Sequence, residues 1–349
     1  MRPRVVMLSA FLTPFRSGAE ACVEEVAAEL CEQFDMIIVT GRYRRGLPRK
    51  DKLVGHIPIV RVGLGCKYDK WLYPILAPLA ARRLRPDLIH AVMESFAGLA
   101  LMLCRYISKA PRLLTCQSAS TTLLVGAMHK SADRVSVISR ALQKRAAAFG
   151  RKDAVLIANG LRLEDIPQAS EKVFGRILFA GRLRKVKGID TLLKAMAHVK
   201  PHAHLHIVGD GPLMVDLKRL ANVLAISDRV KFLGFMPVPD VYSEFAAAEI
   251  FCGLSRREAF GNVFVEAQAA ACAVVGTTVG GIPDIVTNGE TGLLVEPDDL
   301  TAASVALNDL LENTALRHEI ALAGKQSAQK YDWSRIAKQY ANVYLDMLS

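Results

Sequence analysis

From "RVVMLSAFL" at residues 4–12 to "TGLLVEP" at 291–297, the chain repeats one pattern: a short apolar run, a turn, then a stretch spaced like a helix. Continuous apolar runs suit strands buried on both faces, and such strands belong to parallel sheets whose crossover helices cover each side. In the first half the runs "MIIVT", "IPIVRVGL", "PDLIHAV", "PRLLTCQ", "RVSVIS" and "DAVLIANG" alternate with helical stretches such as "AEACVEEVAAELCEQF", "FAGLALMLCRYI" and "RALQKRAAAFG". Near residue 165 the pattern restarts with "GRILFAG" and continues through "LHIVGDG", "VKFLGF", "EIFCGLS" and "CAVVGT", again with helices between. This alternation predicts an α/β protein with two Rossmann-like, doubly wound parallel-sheet domains facing each other across a cleft. A length of 349 residues exceeds one usual core and agrees with two. The polar stretch "LRLEDIPQASEKVFG" with Pro167 reads as the linker, giving domains at 1–165 and 171–334. The ending "YDWSRIAKQYANVYLDML" is an amphipathic helix with Trp333, Ile336, Tyr340, Val343 and Met347 on one side; its last part, about 335–349, is expected to join the first domain.

With 51% hydrophobic and 23% charged residues, the composition is that of a globular protein and excludes a disordered or fibrous one. Seven scattered cysteines without a C-x-x-C pair suggest neither a disulfide framework nor a zinc knuckle, and fit a reducing cytoplasm. The basic, apolar start resembles a signal peptide, but Pro14 breaks the run, and it reads as a first buried strand. No uncharged apolar run is long enough to span a bilayer, so the chain is expected to be soluble or peripheral on the inner face of a membrane. The net charge of +11 is uneven: residues 1–170 hold 26 Lys and Arg against 14 Asp and Glu, and 171–349 hold 19 against 20. A basic first half favours anionic partners, whether a membrane surface, a phosphorylated acceptor or nucleic acid; a solubility feature explains it equally well.

Doubly wound domains bind ligands at the carboxyl ends of their strands. There, "LFAGRLRKVKGID" places Gly181 at a strand end, Arg182 after it, and Lys187 before the next helix. A guanidinium and an ammonium beside free helix amides suit a diphosphate, although a solvated basic loop reads the same way. In "RREAFGNVFVEAQAAA" two acids, Glu258 and Glu266, flank Phe260-Gly261-Asn262, where a helix would begin with its amides available to a phosphate. Two separated carboxylates could each accept hydroxyl hydrogen bonds; singly, they could instead complement a helix dipole or form a surface ion pair.

The motifs "SGAE" (17–20), "IANGLRLEDI" (157–166), "FAGRLRKVKGIDTLL" (179–193), "LHIVGDGPL" (205–213), "VKFLGF" (230–235), "REAFGNVFVEA" (257–267), "VVGTTVGGIPDIV" (274–286) and "TGLLVEPDD" (291–299) together resemble the family 4 retaining glycosyltransferases of GT-B fold. The match is dense from about 155 to 345 and thin before. The resemblance implies a hexosyltransferase that moves sugar from a UDP- or GDP-sugar to a hydroxyl acceptor, lipid-linked or phosphorylated. It implies no cofactor and no metal. Arg182 and Lys187 would hold the diphosphate, Glu258 the transferred sugar and Glu266 the ribose. Gly18, Gly181, Gly209 and the backbones of Phe235-Met236 and Ala259-Phe260-Gly261-Asn262 complete the implied donor side. His90, Gln117 and Asn159 fall on the implied acceptor or sugar side.

Three departures bear on this. Ser17 replaces the first glycine of the family's G-G-x-E turn, and Ala271 and Ala273 stand where G-x-P is usual. Gln117 stands where relatives carry a histidine; it can bond a hydroxyl but moves no proton, which keeps open a catalytically weak donor-binding protein. His90 ends the strand "PDLIHA", where such a histidine is more often structural, an imidazole with its bonds satisfied at a strand end. "HAHLH" (202–206) aligns three histidines if extended, but it leads into a strand without an evident acid or cysteine, and is not taken as a metal site. Binding of an anionic polymer is the remaining alternative; no nucleic-acid module is recognised and no nucleic-acid partner is expected.

Overall fold

The computed structural model describes residues 2–15, 18–119, 124–168 and 171–349, and separates two units, Met1–Gly160 with Trp333–Ser349, and Leu161–Asp332. The division falls earlier than residue 165 because the Leu161 amide donates to the Tyr331 carbonyl at 2.8 Å, which ties the polar connection to the second unit. The whole terminal helix from Trp333, rather than its last part from 335, belongs to the first.

The first unit runs β1 (Arg4–Leu8), α1 (Gly18–Leu30), β2 (Asp35–Gly41), β3 (Lys50–Leu53), β4 (Ile57–Val62), α2 (Asp69–Arg83), β5 (Leu88–Val92), α3 (Phe96–Cys104), β6 (Arg112–Cys116), α4 (Val125–Ser131), β7 (Arg134–Val137), α5 (Arg140–Ala148) and β8 (Val155–Leu156). Its sheet has the order β3-β4-β2-β1-β5-β6-β7-β8, with Val5 opposite Met36 on one side and Leu88 on the other. All pairings are parallel except the edge strand β3, whose exposed "KDKL" lies antiparallel to β4; charges along an edge discourage pairing with another chain. Val5 to Leu8 and Leu88 to Val92 are buried on both faces, as their unbroken apolar runs require.

The second unit runs β9 (Val173–Ala180), α6 (Ile189–Met196), β10 (His204–Val208), α7 (Met214–Val223), β11 (Val230–Gly234), α8 (Val238–Ala247), β12 (Ala248–Gly253), α9 (Asn262–Ala269), β13 (Ala273–Thr277), α10 (Ile282–Ile285), β14 (Leu293–Val295), α11 (Leu300–Glu312) and α12 (Thr314–Ala328). The order β11-β10-β9-β12-β13-β14 is parallel throughout. Successive strands first step one way from β9 and then, at β12, the other way. The loops leaving β9 and β12 therefore diverge and open a crevice at the sheet's switch point.

The chain then returns to the first unit as α13 (Trp333–Leu348). Trp333, Ile336, Tyr340 and Tyr344 are buried in one cluster with Val23 and Ala27 of α1; burial of Ile336 and of Val23 contributes about 1.5–3 kcal/mol each. Val343 and Met347 pack at its margin. All seven cysteines are free. Among the described residues no helix is long and apolar enough to cross a membrane.

Candidate functional site

At the carboxyl ends of β9, β10 and β11 the backbone is held by glycines. The Gly181 amide donates to the Val208 carbonyl at 3.0 Å, and the Gly209 amide to the Gly234 carbonyl at 2.7 Å. Gly209 has φ of 125°, and a Cβ there would stand 2.0 Å from the Gly181 carbonyl oxygen, so no other residue lets the two strand ends meet. The resulting floor belongs to a cavity of about 540 Å³ whose walls include Gly181, Arg182, Gly209, Phe235, Met236 and Glu266. Six of the donor-side residues thus share one space. Arg182 is exposed along it, and no described residue bonds its guanidinium. Phe235, 83% exposed, stands at its rim and offers a flat apolar face.

Glu266 enters from α9, a helix otherwise rich in apolar contacts: Phe264, Val265 and Ala267 beside it are buried. Its carboxyl lies half-buried against the cavity, and no described residue bonds it. Loss of hydration pushes its pKa up from 4.5 to about 7. A carboxyl of that kind gains from a ligand that donates hydroxyl hydrogen bonds.

Lys187 and Glu258 do not line this cavity. They bond each other, Nζ to Oε2 at 2.5 Å, so the ammonium expected at the diphosphate has a carboxylate partner within the protein. Of the two cations expected at a diphosphate, Arg182 has no side-chain partner among the described residues and Lys187 is in an ion pair. The pair sits between two loops that are clamped together. Arg256 donates Nη1 and Nη2 to the two Asp190 oxygens at 2.9 and 2.8 Å, and Nε to Asp298 Oδ1 at 2.7 Å; it also donates to the Lys185 carbonyl. Bonds from Arg256 and Thr191 hold the Asp298 carboxyl below its ordinary pKa. Gly188 caps α6 at φ of 63°, where a Cβ would stand 1.9 Å from the Leu254 carbonyl oxygen. Gly280, at φ of 61°, would place one 1.7 Å from the Glu258 carbonyl oxygen, and Gly281 backs Ala259 and Phe260. Gly261 begins α9 in the left-handed region, with Asn262 its first residue. Sequence reading missed Arg256, Asp190, Asp298 and the Gly280-Gly281 turn as parts of this site. The Gly-Gly dipeptide was the available signal; the arginine's partners lie too far along the chain to be read.

The first unit holds the remaining expected residues. Gly18 opens α1 and is half-buried; Ser17 lies outside the described residues. Gln117 and Asn159 bond reciprocally, Nε2 to Oδ1 at 2.8 Å and Nδ2 to Oε1 at 3.0 Å. His90 is corrected to a core residue: it is fully buried, with Nδ1 on Tyr344 Oη at 2.7 Å and Nε2 on Thr115 Oγ1 at 2.6 Å, which leaves neither nitrogen for a sugar. Burial lowers its pKa to about 3 and keeps it neutral. Glu94, just after β5, accepts from the Gln117 and Ser118 amides at 3.0 and 3.3 Å and pairs with Arg145. Cys116 and His129 join it, with ligand atoms within 4.8 Å of one another, the spacing of a metal site. The guanidinium already engages Glu94, and burial, then the Glu94 charge, push the Cys116 thiol well above its ordinary value, which disfavours the thiolate that a metal needs. Of the "HAHLH" histidines, His206 does find an acid, with Nδ1 2.8 Å from Glu244, while His202 stacks on Phe174.

Residues 16–165 match the family model described as Glycosyltransferase Family 4, and residues 164–327 the one described as Glycosyl transferases group 1. Phosphatidyl-myo-inositol mannosyltransferase of Mycobacterium tuberculosis is 32% identical over 281 residues, 74% of this chain and 73% of that protein. N-acetyl-alpha-D-glucosaminyl L-malate synthase of Bacillus anthracis is 33% identical over 182 residues, 51% of this chain and 46% of that protein. That match, like those to D-inositol 3-phosphate glycosyltransferases of Corynebacterium, spans less than half of the relative's length. Sucrose-phosphate synthase from Thermosynechococcus elongatus has the same fold, with a TM-score of 0.85 at 22% identity over 99% of each chain. Anabaena HepE, solved with UDP and glucose, gives 0.83 at 21% identity over 99% of this chain and 100% of that one. Two parallel-sheet units in this order, both family models and a relative of this identity agree: the chain belongs to glycosyltransferase family 4 and has the GT-B fold.

Proposed function

We propose that the chain is a hexosyltransferase that moves sugar from a UDP- or GDP-sugar to a hydroxyl of a lipid-linked or phosphorylated glycan precursor, with retained anomeric configuration. The observation that carries this reading is the cavity that joins Arg182 to Glu266 over a glycine floor, two side chains that no described residue bonds. A nucleoside diphosphate fits those groups: guanidinium to diphosphate, carboxylate to ribose hydroxyls, and the Phe235-Met236 segment to the base. Lys187 and Glu258, held by the Arg256 clamp, supply the adjoining positive charge and the acceptor for a sugar hydroxyl. Support comes from the phosphatidyl-myo-inositol and mannosyl group that the relative's name states, and from the UDP and glucose with which HepE was solved.

In the reaction, the bond from the anomeric carbon to the β-phosphate oxygen breaks, and a bond from the acceptor oxygen forms on the same face. The acceptor's proton passes to the leaving diphosphate, so Gln117, tied to Asn159, has no proton to carry. Arg182 and Lys187 stabilise the departing charge in place of a metal ion, and no organic cofactor takes part. We assign the acceptor to the basic first unit.

The test is slow hydrolysis of UDP- and GDP-sugars without acceptor. Wild type is expected to release the nucleotide with or without EDTA, and Lys187→Ala to lose at least about a hundredfold of the rate, as removal of one preorganised charge does. Unaltered hydrolysis by Lys187→Ala would reject the site. Donor binding without hydrolysis or transfer would favour the catalytically weak binding protein, and donor-independent retention on polyanions the anionic-polymer reading.

A further inference from the structure

Glu94 is an acid that the donor chemistry leaves unused, and its side chain is only 1% exposed. The turn that carries it, just after β5, is strained. Met93 has φ of 85°, in the left-handed region that a bulky side chain rarely enters, and its neighbours hold it there: its amide donates to the Thr115 carbonyl at 2.8 Å, and its carbonyl accepts from the Ser95 and Gly98 amides at 2.9 and 3.1 Å. The turn brings Glu94 to the loop that leaves β6. One oxygen, Oε2, accepts from the Gln117 and Ser118 amides at 3.0 and 3.3 Å; the other, Oε1, takes the Arg145 guanidinium of α5 and lies 3.6 Å from His129 Nε2. Gln117 is thereby fixed at both ends, its backbone by Glu94 and its side chain by the reciprocal bonds to Asn159 at 2.8 and 3.0 Å. Stability alone does not call for this arrangement, because a buried ion pair is often no more stable than apolar side chains of the same volume. What it adds is direction: two amides facing one carboxylate orient a loop that apolar packing would leave less defined.

We propose that Glu94 is a positioning residue for glycosyl transfer, which acts through the Gln117 backbone to hold the Gln117–Asn159 amide pair where the acceptor oxygen is received. Strained backbone of this kind persists where a site needs it. The amide pair carries no proton, so its part is placement, and displacement of such a group by about 1 Å can cost about a hundredfold in rate. The role rests on the glycosyl-transfer reading, in which Gln117 and Asn159 fall on the acceptor side; the network itself does not.

A glutamine has one acceptor oxygen where a carboxylate has two. In Glu94→Gln the Arg145 guanidinium draws that oxygen, since charge-assisted bonds are the stronger, and turns the Nε2 donors toward the Gln117 and Ser118 amides, which are donors themselves. The loop must then move. Arg145→Met in the same chain frees the oxygen for the two amides. The assay is hydrolysis of UDP- and GDP-sugars by the full chain, with water in the acceptor's place, well below the melting temperature. Glu94→Gln should lower kcat about ten- to a hundredfold while KM and the directly measured Kd for the donor stay within about twofold of wild type, and Glu94→Gln/Arg145→Met should recover most of the lost kcat. Glu94→Asp, which keeps the charge but draws it back by one methylene, should show the same fall in kcat and carries the test if the glutamine variant does not fold. A merely structural Glu94 would lower the melting temperature on substitution and leave kcat and KM of the folded protein as they were. Wild-type kcat in the folded Glu94 variants overturns the proposal, as does a loss that the double variant does not recover or that appears in the donor Kd. A wild type that neither binds nor hydrolyses a nucleotide-sugar rejects the glycosyl-transfer reading instead, which separates the two failures.

Discussion

On the proposed function, the raised pKa of Glu266 predicts a pH dependence of nucleotide-sugar binding whose sign and size can be worked out. With a value of about 7, the free carboxyl is about 9% ionised at pH 6 and about 91% at pH 8. If ribose hydroxyls donate to the carboxylate, only the ionised form binds well, and the apparent affinity falls by the competent fraction. Binding should therefore be about tenfold weaker at pH 6 than at pH 8, or about 1.4 kcal/mol, with proton release at the lower pH. The ligand should be an intact UDP- or GDP-sugar, since its esterified diphosphate adds no titration of its own in this range. Calorimetry in buffers of different ionisation enthalpy counts the protons. Glu266→Gln should weaken binding at pH 8 by roughly 1.5–3 kcal/mol, the range for a hydrogen bond to a charged group, and should remove the pH dependence. In the free protein, a carboxyl held neutral in the fold makes stability fall as pH rises from about 4.5 through about 7, and the glutamine variant should lack that decline. Equal affinity at pH 6 and 8, or a slope that survives in Glu266→Gln, would show that the Glu266 carboxylate does not bind the donor.

Arg256→Ala should destabilise the second unit by roughly 1 kcal/mol in denaturant unfolding, because it removes the bonds to the partly exposed Asp190 and Asp298, and should lower turnover through the loosened Lys187–Glu258 pair; wild-type unfolding and turnover would contradict the clamp. Gly280→Ala puts a methyl group against the Glu258 carbonyl in a left-handed backbone, so it should cost at least about 1–2 kcal/mol and most of the transfer activity. Stability and rate equal to wild type would mean that the turn does not set the Glu258 loop. His90 should stay neutral by NMR to below pH 4, and, because the unfolded imidazole charges near 6.5, it should withdraw stability by up to about 1.4 kcal/mol per pH unit as pH falls from 6.5 to about 3. A ring that titrates near 6.5 in the folded protein would show that it is not sealed in the core.

The strands were legible because burial on both faces demands unbroken apolar runs, and β1, β5, β10 and β12 lie where those runs do. Helix α2 was not. Pro74 and Pro78 look like breakers, and its outward stripe is as apolar as its buried one, so no amphipathic period emerges. The edge strand β3 is nearly all charge, and α10 is a short helix within a glycine-rich turn. Within the site, Glu258 and Glu266 stood out as acids around an otherwise apolar helix. What they do in the fold was not visible: the Lys187 partner lies 71 residues from Glu258, and the shift of Glu266 comes from lost water. Arg256 looked like one more surface cation because its carboxylates are 66 and 42 residues away.

The most direct measurement is a crystal structure of the chain with a bound UDP- or GDP-sugar. The diphosphate is expected against Arg182 and the Lys187 ammonium, the ribose hydroxyls within hydrogen-bond distance of Glu266, and the base beside Phe235 and Met236. A donor seated elsewhere, or one in this cavity with its ribose away from Glu266, would contradict this placement.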